Sequence, residues 1–218
     1  MLLHAPSIHL KRALGCYNLK MEKELLKILT SYFSNLQKLD ESWKALANEA
    51  ERPLQALANQ SEQLCHVTKE ENDKTEICQI ENLREKLIFK ILMGLEDEMS
   101  LILEILNKFN NANQNLKNRL YNLERTRNKC FTENSSMTEI MKSTTFRPQL
   151  NLLLEWAIDG YNYYHQLYLQ ISNSLKNLDY TKQDTIENLR ESFKEDRFKR
   201  DKIDRILAFT QFLSKEAV

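Results

Sequence analysis

Residues 25–64 read LLKILTSYFSNLQKLDESWKALANEAERPLQALANQSEQL, and the fold follows from this stretch. Apolar side chains recur along it at alternating steps of four and three residues, which places them on one stripe of an α-helix. The stripe comprises Leu25, Leu29, Tyr32, Leu36, Leu39, Trp43, Leu46, Ala50, Leu57 and Leu64, and it is interrupted by Pro53 and Gln60. Because proline lacks a backbone donor and clashes with the preceding turn, we predict a kink or a restart of the helix near residues 51–53.

The rest of the chain carries three further helical patterns. Residues 67–75 are polar and predict a loop. A second helix is predicted over residues 76–129, with an apolar stripe that includes Ile80, Leu83, Leu87, Ile91, Leu95, Ile102, Leu106, Phe109, Leu116, Leu120 and Leu123. Residues 130–143 predict a long connection to a third helix over residues 147–178. A last helix is predicted to open at Thr181, with apolar positions at Ile186, Leu189, Phe193, Phe198, Ile203, Ile206, Leu207, Phe209, Phe212 and Leu213. Long helices with short to moderate loops predict an all-α fold, an antiparallel bundle of about four long helices with coiled-coil-like packing.

Residues 1–20 differ from the rest of the chain in composition. They contain no acidic residue and include Lys11, Arg12 and Lys20. This composition predicts a disordered extension or a weak targeting segment. Residues 21–218 are assigned to a single helical-bundle domain.

The third predicted helix is apolar around most of its circumference, which indicates that protein surrounds it. It is either the central helix of the bundle or a helix with a partner on its outer face. Its tyrosine-rich run has no Arg or Lys between Pro148 and Ile171, whereas platforms that stack nucleic-acid bases interleave aromatic and basic residues. Core packing or a protein contact is therefore favoured, and the predicted partner-binding residues are Trp156, Tyr163, Tyr164, Leu167 and Tyr168. The neighbouring face of the last helix is the alternative contact.

The composition argues against an enzyme and against several kinds of ligand. Lys+Arg and Asp+Glu are equal at 31 each, so net charge provides no bulk attraction to nucleic acid or to an acidic membrane. The three glycines are isolated, which excludes a phosphate-binding loop, and the four histidines and four cysteines are too dispersed for a zinc site. We therefore expect no catalytic residue, no metal, no cofactor, no membrane contact and no direct contact with nucleic acid. The acidic run at residues 96–98 is interpreted as a solvated face or a docking site for a basic partner rather than a catalytic pair.

Two candidate phosphorylation sites lie in predicted loops. Thr68 and Ser136 are each followed three residues later by an acidic residue, a spacing that casein-type kinases prefer. The pattern is short and is therefore common by chance.

Several short motifs occur together in one order along the chain. They are W-x-A-L at residues 43–46, E-Q-L at residues 62–64, L-L-E-W at residues 153–156, and a Phe-Leu pair at residues 212–213. With Tyr164 and Tyr168-Leu169, this set resembles the AIRIM-like family of AAA-ATPase-interacting ribosome maturation factors, also described as casein kinase substrates.

The resemblance implies a function that composition and spacing do not show. It implies a non-catalytic adaptor subunit in a complex with AAA+ ATPase subunits, which would act on the precursor of the large ribosomal subunit, in the cytoplasm and nucleus. The alternative is a structural coiled-coil component of a kinetochore or tethering assembly, in which residues 25–64 would form an intermolecular seam.

Overall fold

A computed structural model describes residues 8–69, 82–133, 142–145 and 147–213, with side chains from Lys20 onward apart from residues 132–133. All the regular elements among these residues are helices. They are α1 (Ile8–Thr68), α2 (Leu83–Glu133), α3 (Leu150–Lys176), α4 (Gln183–Ser192) and α5 (Arg197–Thr210). The predicted all-α fold is confirmed.

The chain divides into two compact units. The first comprises Met1–Leu39, Gln114–Tyr163 and Phe198–Val218, and the second comprises Asp40–Asn113 and Tyr164–Arg197. The long helices therefore contribute one part of their length to each unit. The assignment of residues 1–20 and 21–218 to an extension and a single domain stays a prediction.

The core of the first unit is built around Tyr32 on α1. Its ring is fully buried and its hydroxyl donates a hydrogen bond to the Ala157 carbonyl of α3 at 2.6 Å. Burial raises the pKa of the Tyr32 phenol. The Arg119 guanidinium of α2 donates to the Ser31 hydroxyl at 3.0 Å, and the buried Cys130 thiol lies 3.8 Å from the Met21 carbonyl. Since Met21 precedes Ser31 whereas Cys130 follows Arg119, α1 and α2 are antiparallel here.

The core of the second unit is aromatic. Trp43 of α1 is almost fully buried, with its ring 4.4 Å from that of Phe109 on α2 and 6.3 Å from that of Phe193, just after α4. Phe109 also meets Tyr164 of α3 edge-on at 6.5 Å. Trp43 thus packs against aromatic rings from α2 and from the segment just after α4.

The predicted seam on α1 is confirmed. The ten apolar members of the stripe are all buried: Leu25, Leu29, Tyr32, Leu36, Leu39, Trp43, Leu46, Ala50, Leu57 and Leu64. The prediction of a helix restart is wrong, because α1 runs without interruption from Ile8 to Thr68 with Pro53 inside it. Proline removes a single donor from the helix, and the buried Ala50, Leu54 and Leu57 keep both flanking turns packed.

Most of the predicted α2 core is also confirmed, with Ile91, Leu95, Ile102, Leu106, Phe109, Leu116, Leu120 and Leu123 buried. Leu87 was expected in this core but is 42% exposed. It lies one turn from Arg84, whose guanidinium donates to the Val67 carbonyl near the end of α1. Because α1 ends at Thr68, less of it covers this part of α2. Residues 76–81, predicted to begin the helix, lie outside the described residues.

The last predicted helix is in fact two helices. α4 ends at Ser192, and α5 begins at Arg197. The apolar spacing of Ile186, Leu189 and Phe193 would next require an apolar residue near position 196 or 197, where the chain has Asp196 and Arg197. Helical continuation would bury charge, so the chain breaks after the buried Phe193 and α5 restarts with Ile203 and Ile206 inside.

The opening of α4 also differs from the prediction. The helix begins at Gln183 rather than Thr181, and its N-cap residue Lys182 makes no side-chain capping bond. Thr181 instead donates its backbone N–H and its hydroxyl to the Asp179 carboxylate, at 3.0 and 2.7 Å. These bonds, together with Lys182, lower the pKa of Asp179 to about 2. The Asp179 carboxylate thus stabilises the turn that precedes α4.

Candidate interaction surfaces

The five predicted partner-binding residues of α3 divide into two groups. Tyr163, Tyr164 and Leu167 are buried, with at most 8% of each side chain exposed. Trp156 and Tyr168 are half-buried, so part of each side chain is accessible to a partner. A direct contact by the three buried residues would require their packing to open. Partner binding at Trp156 and Tyr168 stays a prediction.

Tyr164 holds the core of the second unit together. Its hydroxyl donates to the Asp40 carboxylate of α1 at 2.6 Å, and the Lys44 ammonium lies 2.9 Å from the other carboxylate oxygen. Asp40 is only 4% exposed, so this carboxylate depends on both partners to offset its desolvation. The sequence indicated the aromatic character of Tyr164 but not its buried acidic partner on another helix, since nothing local in α3 identifies Asp40.

Trp156 belongs to a surface of the first unit. Its ring is stacked on that of Phe209 of α5, with centroids 5.8 Å apart and an interplanar angle of 29°. Phe209 is 59% exposed, so the pair forms an aromatic shelf with one ring open to solvent. Beside the shelf, the Lys202 ammonium of α5 lies 2.7 Å from the Asp159 carboxylate of α3.

The outward side of α5 carries two basic side chains between two aromatic ones. We call Phe198, Lys202, Arg205 and Phe209 the α5 stripe; their spacing of four, three and four residues places them on one helical face. Phe198 is 87% exposed, and Phe212, just after the helix, is 41% exposed. An adjacent side of α5 buries Ile203, Ile206 and Thr210. The stripe is thus the solvent face of an anchored helix.

The outward side of α2 in the second unit has a different character. Over residues 92–104, the exposed side chains are four apolar, three acidic and one serine: Leu92, Met93, Leu101, Leu103, Glu96, Asp97, Glu104 and Ser100. We call these eight residues the α2 face. Met93 and Leu101 are each about half exposed, and Phe89, one turn earlier, is 65% exposed. Such an exposed apolar set on a helix marks an interaction surface.

One lysine lies at the end of the α2 face. The Lys108 ammonium contacts the Glu104 carboxylate at 3.1 Å and the Glu49 carboxylate of α1 at 3.2 Å. These hydrogen bonds, the one to Glu104 first, raise the pKa of Lys108. Glu104 is therefore partly neutralised, and Glu96 and Asp97 contribute most of the negative charge of the face.

The described residues include no group of three or more His, Cys, Asp or Glu residues placed to hold a metal ion. Cys65 and Cys130 are free thiols. A groove of about 900 Å³ in the second unit is lined by residues of both charges, including Lys44, Glu51 and Arg190. Within the described part of the chain, no helix is both long and apolar enough to cross a membrane.

Of the two candidate phosphorylation sites, the structure describes one. Thr68 is exposed but is the last residue of α1 rather than part of a loop, and its hydroxyl donates to the Leu64 carbonyl at 2.8 Å. A phosphate there would meet the negative end of the helix dipole. Ser136 lies outside the described residues. Phosphorylation at either position stays a prediction.

Sequence reasoning did not separate the two outward surfaces from the core. It expected a contact at Trp156 or on the neighbouring face of the last helix, and it interpreted residues 96–98 as a solvated face or a docking site for a basic partner. The α5 aromatic residues were assigned to the apolar side of the last helix, because the break at residues 193–196 was not foreseen. For the α2 face, the signal was available: Leu92, Met93, Leu101 and Leu103 are apolar residues that fall outside the predicted α2 stripe. Apolar residues beyond those that a core stripe uses are the local sign of a second contact surface.

Comparison with known proteins gives one family. The family model described as ribosome biogenesis protein C1orf109-like matches residues 23–212. No curated protein matches the chain significantly. The match extends over most of the chain and includes the helices that carry both surfaces. The chain therefore belongs to the C1orf109-like family of ribosome biogenesis proteins.

Proposed function

We propose that this protein is a non-catalytic adaptor that joins AAA+ ATPase subunits to the maturation of the large ribosomal subunit. The family match supports a role in ribosome biogenesis. The ATPase subunits would supply the chemistry, and this chain would position them on the precursor particle, in the cytoplasm and nucleus.

The observation that carries this proposal is the α2 face. Four exposed apolar side chains lie together with Glu96 and Asp97 on a helix whose other side is firmly packed. The chemistry that complements such a face is an amphipathic helix with an apolar stripe flanked by Lys or Arg. Apolar contact would provide affinity, and the charge pairing would fix orientation. An ATPase subunit that carries such a helix is the partner that we propose for the α2 face.

The coiled-coil alternative is supported less well. It required residues 25–64 to form a seam between chains, but those side chains are buried within this one, Leu25, Leu36 and Leu57 completely. The burial of this seam within one chain favours the adaptor over the coiled-coil alternative.

Capture of the ATPase subunits tests the proposal. The tagged chain would be expressed in cells of its source, and the AAA+ subunits that co-purify would be quantified. The double variant Met93→Glu/Leu103→Glu places two more acids on the α2 face, and we expect it to recover at least tenfold less ATPase. Trp156→Ala tests the predicted α3 contact in the same way.

Tyr121→Ala is the matched control, because Tyr121 is 68% exposed in the first unit and belongs to neither surface. Equal thermal unfolding of all variants would show that folding is intact. If the native chain recovers no AAA+ subunit, the adaptor proposal fails. If it recovers them and the α2 variant does so equally, the assignment of the contact to the α2 face fails.

A further inference from the structure

The α5 stripe meets the criterion that the tyrosine-rich run of α3 does not. Platforms that bind single-stranded nucleic acid combine exposed aromatic rings with Arg or Lys between them. Phe198 and Phe209 are exposed, and Lys202 and Arg205 lie between them on the same helical face. An interleaved pattern of this kind differs from an ordinary solvated helix surface.

Local charge supports an anionic ligand. α5 carries five basic and two acidic residues, although the whole chain has equal numbers of each. Lys202 pairs with Asp159, yet 51% of its side chain stays exposed. Arg200 pairs with Asp204, and the Arg205 Nε donates to the Asp201 carbonyl. The acids thus offset part of the positive charge and leave the helix with a net positive excess.

The arrangement of the rings favours nucleic acid over an acidic protein helix. Phe209 lies eleven positions after Phe198, which places the two residues about 16 Å apart along α5. The residues between them on the stripe are charged, so the rings are separate stacking positions rather than one apolar seam. A helical protein partner would instead need adjacent apolar positions, such as those of the α2 face. Phe209 is backed by the Trp156 ring, which fixes its orientation.

We infer that the α5 stripe is a binding site for single-stranded RNA, in which bases stack on Phe198 and Phe209 and Lys202 and Arg205 contact phosphates. This revises the expectation of no direct nucleic-acid contact, which rested on total net charge and on α3. The inference goes beyond the adaptor role and does not depend on the ATPase partner. RNA is the nucleic acid that a ribosome biogenesis protein meets.

Binding of fluorescently labelled oligo(U) of about 16 nucleotides to the purified full-length chain tests this inference. Loss of one stacking position in Phe198→Ala should weaken binding about fivefold or more. Arg205→Gln should weaken it as well, and should reduce the magnitude of the slope of log affinity against log salt concentration by about 0.7, since one phosphate contact is lost.

Phe89→Ala is the matched control, because it removes an equally large ring that is 65% exposed but lies on α2. Its affinity for oligo(U) should equal that of the native chain. Phe198 is so exposed that its removal leaves the fold intact, which thermal unfolding would verify. The inference is overturned if the native chain does not bind oligo(U), or if Phe198→Ala and Phe89→Ala bind equally. Binding of poly-glutamate as tightly as oligo(U) would also overturn it, because the stripe would then be a site for acidic protein.

Discussion

The outward faces of α2 and α5 are built by the same means and differ in charge. Each is the exposed side of a helix whose other side is buried, and each carries large apolar side chains. On α2, adjacent aliphatic residues are combined with Glu96 and Asp97, whereas on α5 separate aromatic rings are combined with Lys202 and Arg205. The difference shows that a chain of zero net charge can still present two helical surfaces of opposite local charge.

Both the α2 face and the α5 stripe depend on well-packed cores beneath them, and Trp43→Ala is the strongest test of that support. The change removes a ring packed on Phe109 and Phe193 in the second unit, which contains the α2 face. We expect the free energy of unfolding to fall by about 3–5 kcal/mol. Urea unfolding followed by circular dichroism measures it. A loss below about 1 kcal/mol would mean that the aromatic cluster does not support this unit.

Two tyrosine hydroxyls allow a matched comparison of the units. Tyr164→Phe removes a donor to the Asp40 carboxylate and should cost about 1.5–3 kcal/mol, because hydrogen bonds to charged groups are the stronger class. Tyr32→Phe removes a donor to a neutral carbonyl and should cost about 0.5–1.5 kcal/mol. Chemical denaturation of both variants ranks them. The reverse order would contradict the role assigned to Asp40.

The glycines Gly94 and Gly160 offer a smaller contrast. A Cβ at Gly94 would lie 2.7 Å from Nε2 of the half-exposed Gln60, which can swing aside, so Gly94→Ala should gain up to about 1 kcal/mol. A Cβ at Gly160 would lie 2.7 Å from Cδ2 of the fully buried Leu36, where overpacking costs about 1–3 kcal/mol. Thermal unfolding should therefore place Gly160→Ala below Gly94→Ala. Equal midpoints would show that the Leu36 site can relax.

The smallest effects on stability are expected on the faces themselves. Phe89→Ala and Phe198→Ala should each change the free energy of unfolding by less than about 0.5 kcal/mol, because both rings are mostly exposed. Denaturant titration checks this expectation. A loss of 2 kcal/mol or more, well beyond the usual effect of a surface substitution, would identify the ring as part of a core and remove it from its proposed surface.

The sequence predicted the core better than the surfaces, for a physical reason. A repeated apolar spacing has one straightforward solution, burial on one side of a helix, and the α1 seam from Leu25 to Leu64 follows it even through Pro53. Surface roles depend on which side of a helix is left uncovered, and that is decided by other helices. Tyr164 was therefore assigned to a partner although Asp40 holds it inside, and Phe198 was assigned to the apolar side of the last helix although it is 87% exposed.

A crossed binding experiment tests the central claim that two opposite surfaces serve two partners. The native chain, Met93→Glu/Leu103→Glu and Phe198→Ala would each be measured against the co-purifying ATPase subunits and against oligo(U). We expect the α2 variant to bind the ATPase subunits at least tenfold more weakly and to bind oligo(U) as the native chain does. We expect Phe198→Ala to bind oligo(U) more weakly and to bind the ATPase subunits as the native chain does. If either variant weakens the binding of both ligands equally, or if neither variant weakens the binding of either ligand, the two faces are not separate binding surfaces and the proposal of two surfaces is contradicted.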